Sequence, residues 1–167
     1  MKKFFLVMMM AMCLGLAGAA MTPVAEAAPA KLADFEVFDL RSGEVHRLSG
    51  LCADKPLYIN LWASWCGPCC YEMPAVDEMY LKYRGQVNFA VISVDSSPAE
   101  ARAFTGGPGA ELALPFMYAN DLRELIEAYG VTAIPVSIIV APGGKIIDRT
   151  EGAMQAGQLE RFISQAL

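Results

Sequence analysis

The sequence predicts an α/β fold, a central mixed sheet flanked by helices with a β-hairpin in front and one inserted segment. Three stretches carry that expectation. Leu57-Tyr-Ile-Asn-Leu-Trp-Ala63 is apolar and strand-like, and the run from Tyr71 to Tyr83 after it places Met73, Val76, Met79 and Tyr80 on one helical face. Val87 to Val94 is almost continuously apolar, the mark of a strand buried on both faces, so strand 57–63, helix 67–83 and strand 87–94 read as a βαβ unit. Near the C-terminus, 136–140 and 145–151 flank Pro142-Gly-Gly-Lys145 and read as an antiparallel hairpin.

The remaining elements follow in chain order. Lys31 to Glu36 leads into Phe35-Glu-Val-Phe-Asp-Leu40, which pairs across Arg41-Ser-Gly43 with Glu44-Val-His-Arg47 as the front hairpin. Leu48-Ser-Gly-Leu51 suits a short helical turn. After the βαβ unit, Ser97 caps and Pro98 opens a helix that runs to Phe104 and stops at Gly106-Gly-Pro-Gly109, a loop by composition. Leu114-Pro-Phe-Met-Tyr118 reads as a strand and Asp121 to Tyr129 as a helix closed by Gly130. An amphipathic helix over about 155–166 ends the chain, and no internal repeat is present.

The 167-residue chain opens with Lys2-Lys3, a mostly apolar stretch from Phe4 to Ala20, and small residues ending in Ala25-Glu26-Ala27. This is the pattern of an export signal over 1–27, leaving one domain over 28–167 in a periplasmic or other extracytoplasmic compartment. A second reading retains the leader as a membrane anchor, although its apolar run is broken by Gly15 and Gly18 and is shorter than the roughly twenty residues of a span. A third acylates Cys13, but Met10-Ala11-Met12 before it is a poor lipobox. Without the leader the chain keeps eleven basic and seventeen acidic residues, net −6, with no basic patch for nucleic acid.

Trp65-Cys-Gly-Pro-Cys-Cys70 carries the chemistry. Cys66 falls where strand passes into helix. There, unpaired backbone N–H groups and the positive end of the helix dipole favour a thiolate over a thiol. Such settings lower a cysteine pKa from about 8.5 to about 3.5–7.5, and the thiolate is the attacking species. Cys66 is therefore the expected nucleophile and Cys69 its disulfide partner.

Trp65, Gly67-Pro68 and the spacing of Cys66 and Cys69 resemble the active site of the thioredoxin superfamily. A second signature is Val131-Thr-Ala-Ile-Pro135-Val-Ser-Ile-Ile-Val140. The resemblance implies that Pro135 is cis, begins a strand and lies beside the dithiol, with Ile134, Pro135 and Trp65 meeting an extended substrate; an X-Pro bond gives up only about 0.5–1 kcal/mol to become cis. An ordinary trans proline at a strand start is the other reading. The front hairpin and the insert near 97–118 look like the TlpA/ResA branch, which implies a protein disulfide reductase acting outside the cytoplasm without a cofactor. The branch also implies a membrane thiol reductant as electron donor and apocytochrome c as a substrate. Cytoplasmic members carry a buried aspartate six residues before the first cysteine, where this chain has Asn60. ResA-like members place a glutamate three residues after the second cysteine, here Glu72. One helical turn from Cys69, a partly buried Glu72 would have a raised pKa and could accept the Cys69 proton; the plainer role is an exposed charge favoured by the helix dipole. Direction stays open between reduction and oxidation or isomerisation, because about 30 mV corresponds to 1.4 kcal/mol.

Cys70 points about 100° away from Cys69 around the helix, and Cys52 lies in the loop before the active-site strand. Each suits a small buried hydrophobe, and in an oxidising compartment a Cys52–Cys70 bridge is a second possibility. A soft-metal site built from Cys52, Cys66, Cys69 and Cys70 would instead make a copper carrier, but it leaves Trp65, Gly67-Pro68 and Pro135 unexplained. His46, the single histidine, sits in the polar hairpin, and Ala63 stands where a peroxidatic cysteine would need threonine or serine.

Overall fold

A computed structural model describes residues 31–167. The export signal over 1–27, its cleavage at Ala25-Glu26-Ala27 and the acylation of Cys13 therefore fall outside the described residues.

The chain forms β1 (Glu36–Asp39), β2 (Val45–Arg47), α1 (Leu48–Leu51), β3 (Leu57–Trp62), α2 (Gly67–Tyr83), β4 (Asn88–Ser93), α3 (Pro98–Thr105), β5 (Phe116–Ala119), α4 (Leu122–Ala128), β6 (Val136–Val140), β7 (Ile146–Glu151) and α5 (Ala156–Ser164). Seven strands make one mixed sheet in the order β2-β1-β5-β4-β3-β6-β7. The β3–β4 and β4–β5 pairs are parallel, while β3–β6, β6–β7, β1–β5 and β1–β2 are antiparallel.

All six residues of β3 are buried, because its side chains alternate between two covered faces. Tyr58 and Trp62 point into a core shared with Met73, Val76 and Met79 of α2, Phe104 of α3 and Phe162 of α5. Leu57, Ile59 and Leu61 point into the opposite core with Leu48 of α1 and Leu125 of α4. Burying one such large apolar side chain contributes about 1.5–3 kcal/mol, so both faces of the central strand anchor the residues that follow it. Trp62 is the centre of an aromatic cluster, with ring centroids 4.8 Å from Phe104 and 5.2 Å from Phe116.

The insert supplies α3, a loop and β5. Because β5 lies between β1 and β4, the front hairpin joins the sheet through the insert. Arg41 at the hairpin turn locks the two together: Nη1 donates to the Leu114 carbonyl at 2.9 Å, and Nη2 donates to those of Gly109 at 3.1 Å and Leu112 at 2.9 Å. The β5 strand starts at Phe116 rather than Leu114. Pro115 has no N–H for a ladder, although its carbonyl accepts from Val91 at 3.2 Å. At the other edge, β7 begins at Ile146, where the register with β6 shifts between Ile139 and Val140.

Candidate active site

The end of β3 and the start of α2 form a tight turn, closed by the Cys66 N–H donating to the Ala63 carbonyl at 3.1 Å. Cys66 is the N-cap of α2 in extended backbone, and its Sγ accepts from the Cys69 N–H at 3.2 Å. One of the orphan donors of the first helical turn is thus aimed at the sulfur. Pro68, within the first two helical positions, sacrifices no intrahelical bond there. Cys66 and Cys69 form a disulfide with S–S 2.04 Å. Cys66 keeps 6% of its surface exposed and Cys69 none, so an incoming sulfur meets Cys66 first.

The Ile134–Pro135 bond is cis, and the Ile134 carbonyl oxygen lies 3.8 Å from Cys66 Sγ. A surface depression of about 650 Å³ opens beside the disulfide, lined by Trp65, Cys66, Pro68, Val94, Ile126 and Ile134 among others. Trp65 is 67% exposed and Tyr71 is also exposed. The rim is thus apolar and aromatic, without a charged side chain in its lining.

Beneath the disulfide lies a buried polar group of four side chains. Glu72 is only 2% exposed. Its Oε1 accepts from the Met154 N–H at 2.9 Å, and its Oε2 lies 3.5 Å from Asn60 Nδ2. Asn60 Nδ2 also reaches Tyr58 Oη at 3.3 Å and Ser137 Oγ at 3.4 Å, and those two hydroxyls share a hydrogen bond of 2.8 Å. Burial pushes the Glu72 carboxyl above the usual carboxylate range, against the opposing pull of the Met154 and Asn60 donors. Burial, with the Glu72 charge second, also raises the Tyr58 phenol. Asn60 Oδ1 is buried without a hydrogen-bond partner.

On the opposite side of the turn, Asp95 is fully buried just past β4. The Ser64 N–H donates to both carboxylate oxygens, each at 3.1 Å, and Ser64 Oγ and Ser93 Oγ each donate at 2.7 Å. The Cys70 thiol donates to the Ser64 carbonyl at 3.5 Å. Burial, then the Asp95 charge, raises the Cys70 pKa.

Cys52 and Cys70 are free thiols, without the bridge that stood as a second possibility. Cys52 is buried in the core on the α1 and α4 side of the sheet, while Cys70 lies against the core on the α2 side. The sheet between them prevents a bridge. Burial raises the Cys52 thiol as well. His46 lies on the edge strand β2, 3.7 Å from Glu44 and four strands from the β3 strand that leads into Cys66 and Cys69. Among the described residues, no three His, Cys, Asp or Glu side chains converge as a metal-binding set.

Two participants escaped the sequence reading. Met154 acts through its backbone, so no residue type marks it. Asp95 belongs to no motif, and its one signal is position: an acidic residue directly after a doubly buried strand needs something nearby to donate to it.

The sheet order, the disulfide at the mouth of α2 and the cis-proline beside it define a thioredoxin-fold redox protein. The Redoxin family model matches residues 23–163, and the chain belongs to that family. Among curated relatives, the thiol-disulfide oxidoreductase ResA of Bacillus thuringiensis subsp. konkukian is 31% identical over 66% of this chain and 63% of its own. ResA of Geobacillus kaustophilus is 30% identical over 78% of this chain and 72% of its own. The chain thus spans a little under two thirds of the length of the Bacillus relative. Among solved structures, a Chlorobium tepidum protein described as a thiol:disulfide interchange protein DsbE matches with TM-score 0.70 and 28% identity, over 83% of this chain and 96% of that one.

Proposed function

We propose that this protein is an extracytoplasmic thiol-disulfide oxidoreductase that reduces protein disulfides through Cys66 and Cys69. The observation that carries the reading is the Cys66–Cys69 disulfide at the N-terminus of α2, exposed only at Cys66 and bordered by the Ile134 carbonyl.

The reaction begins from the reduced form. The Cys66 thiolate, held by the Cys69 N–H and the helix dipole, attacks one sulfur of a substrate disulfide. That S–S bond breaks, a mixed disulfide forms, and the first substrate sulfur leaves as a thiolate that takes up a proton. Cys69 then loses its proton to Glu72, one helical turn away on the same buried face, and attacks Cys66 Sγ. The second substrate sulfur leaves, and two electrons have passed from the enzyme dithiol to the substrate. The enzyme returns to the Cys66–Cys69 disulfide, and a membrane thiol carrier would reduce it again. Apocytochrome c, with its paired cysteines, fits as a substrate. Support for the ResA-type role comes from the relatives named ResA and from Asn60 and Glu72 sharing one buried site.

The test is reduction of insulin by thiol-charged protein, read as turbidity. Turnover by the wild type and none by Cys66→Ser is expected. Equal rates for the two would overturn the assignment.

A further inference from the structure

One buried charged group is left unused by this mechanism. Asp95 is fully buried, and no Lys, Arg or His side chain among the described residues forms an ion pair with it. A carboxylate withdrawn from water must be satisfied by hydrogen bonds. Here the principal donor is Ser64, which gives both its N–H and its hydroxyl.

Ser64 is the second residue of the Ala63–Cys66 turn, and the turn is held from three directions. The Cys66 N–H closes it onto Ala63, Asp95 fixes the Ser64 N–H and hydroxyl, and the Cys70 thiol binds the Ser64 carbonyl. Asp95 is in turn fixed to the sheet. Its own N–H donates to Ser93 Oγ at 3.0 Å, its carbonyl accepts from Tyr118 Oη at 3.0 Å, and the neighbouring Val94 N–H donates to the Trp62 carbonyl at 2.7 Å. A rigid path therefore runs from the central strands through Asp95 and Ser64 to the backbone that carries Cys66.

We propose that Asp95 is a positioning residue for thiol exchange, fixing the Ala63–Cys66 turn so that Cys66 Sγ stays aligned with the Cys69 N–H, with Cys70 serving the same turn as a hydrogen-bond donor rather than as a redox thiol. The inference rests on the reading of Cys66 as the attacking sulfur. Charge and position act in opposite directions here. A buried negative charge near the helix mouth disfavours a Cys66 thiolate, so deleting the charge alone lowers the Cys66 pKa. Losing the alignment with the Cys69 N–H raises it.

The experiment follows alkylation of Cys66 in the reduced protein by iodoacetamide across pH 4–9, with each cysteine resolved by peptide mass spectrometry. In Asp95→Asn the rate midpoint is expected to rise by about one unit, a tenfold loss of thiolate at pH values below the midpoint. Ser64→Ala, which removes one hydroxyl and leaves the backbone contact, keeps the fold and moves the midpoint the same way by a smaller amount. Cys70→Ala moves it upward too, and Cys70→Ser, which restores a donor to the Ser64 carbonyl, returns it to the wild-type value. A midpoint unchanged or lowered in both Asp95→Asn and Ser64→Ala overturns the proposal. Alkylation needs no substrate, so wild-type protein inert toward insulin would defeat the proposed function and still leave this result readable.

Discussion

Asn60 and Glu72 face each other under the disulfide with only one of the two amide atoms satisfied. Asn60 Nδ2 lies 3.5 Å from the Glu72 carboxylate, while Asn60 Oδ1 has no partner. A neutral, protonated Glu72 could donate to an amide oxygen, whereas an ionised one can only accept. The pair therefore suits a carboxyl that spends part of its cycle protonated.

This gives a stability prediction with a definite sign. Burial raises the folded-state Glu72 pKa above its ordinary value of 4.5, so between 4.5 and the folded value the native state binds more protons than the unfolded state. The resulting stabilisation is fully present below pH 4.5 and is lost as pH rises through the folded pKa. Glu72→Gln cannot ionise and offers an N–H to Asn60 Oδ1. Its melting temperature is expected to exceed that of the wild type at pH 8, with the gap closing by pH 4. A constant gap across that range, measured by calorimetry of the oxidised forms, would assign Glu72 no protonation role.

The same substitution separates the two chemical steps. Attack on a substrate disulfide by Cys66 should proceed at nearly the wild-type rate in Glu72→Gln. Release of reduced substrate should slow by about a hundredfold, the lower range for loss of a general base. Stopped-flow quench with mass detection of the mixed disulfide resolves both. Cys69→Ser should accumulate that intermediate completely.

Only one disulfide should form in this domain. In graded thiol redox buffers, Cys66 and Cys69 are expected to titrate together, while Cys52 and Cys70 stay as thiols throughout. Cys52 should resist alkylation until the protein unfolds, since it is buried and its pKa is raised. Peptide mapping that found a Cys52–Cys70 bridge in native protein would contradict the sheet placed between them.

Gly109 offers a test of the insert. A methyl group there would sit 2.5 Å from Phe104 Cε1, and Phe104 belongs to the aromatic cluster around Trp62. Gly109→Ala should destabilise by about 1–3 kcal/mol, as overpacking commonly does, and should do so without altering the Cys66 alkylation profile. Denaturant titration measures the first effect.

Much of this architecture was legible because local signals were strong. Helix 67–83 emerged with its observed bounds, its start set by Gly67-Pro68 and its body by the spacing of Met73, Val76 and Met79. The doubly buried strand was readable from continuous apolarity, and only its ends, Val87 and Val94, fell outside β4. Strand β5 was placed two residues early because Pro115 sits inside an apolar run, and periodicity cannot say where the ladder bonds begin. Cys66, Cys69 and Pro135 announce themselves by motif. Asp95 and Ser64 do not, because they are 31 residues apart and their meeting depends on β3 and β4 being neighbours in register. The choice between a Cys52–Cys70 bridge and two separate thiols stays open in the sequence for a similar reason: it gives residue separation but not which side of a sheet a thiol occupies.

The chain has two tryptophans, and the fold gives them opposite surroundings. Trp62 is fully buried, with Nε1 donating to the Val91 carbonyl at 3.3 Å, while Trp65 is largely in solvent next to Cys66. These surroundings separate the two emissions, with the solvated Trp65 shifted to the red and Trp62, packed in the buried cluster that also holds Cys66 and Cys69, to the blue. The protein thus contains two separate optical reporters, one of the core packed on the disulfide and one of the surface beside Cys66, and needs no added label to follow either.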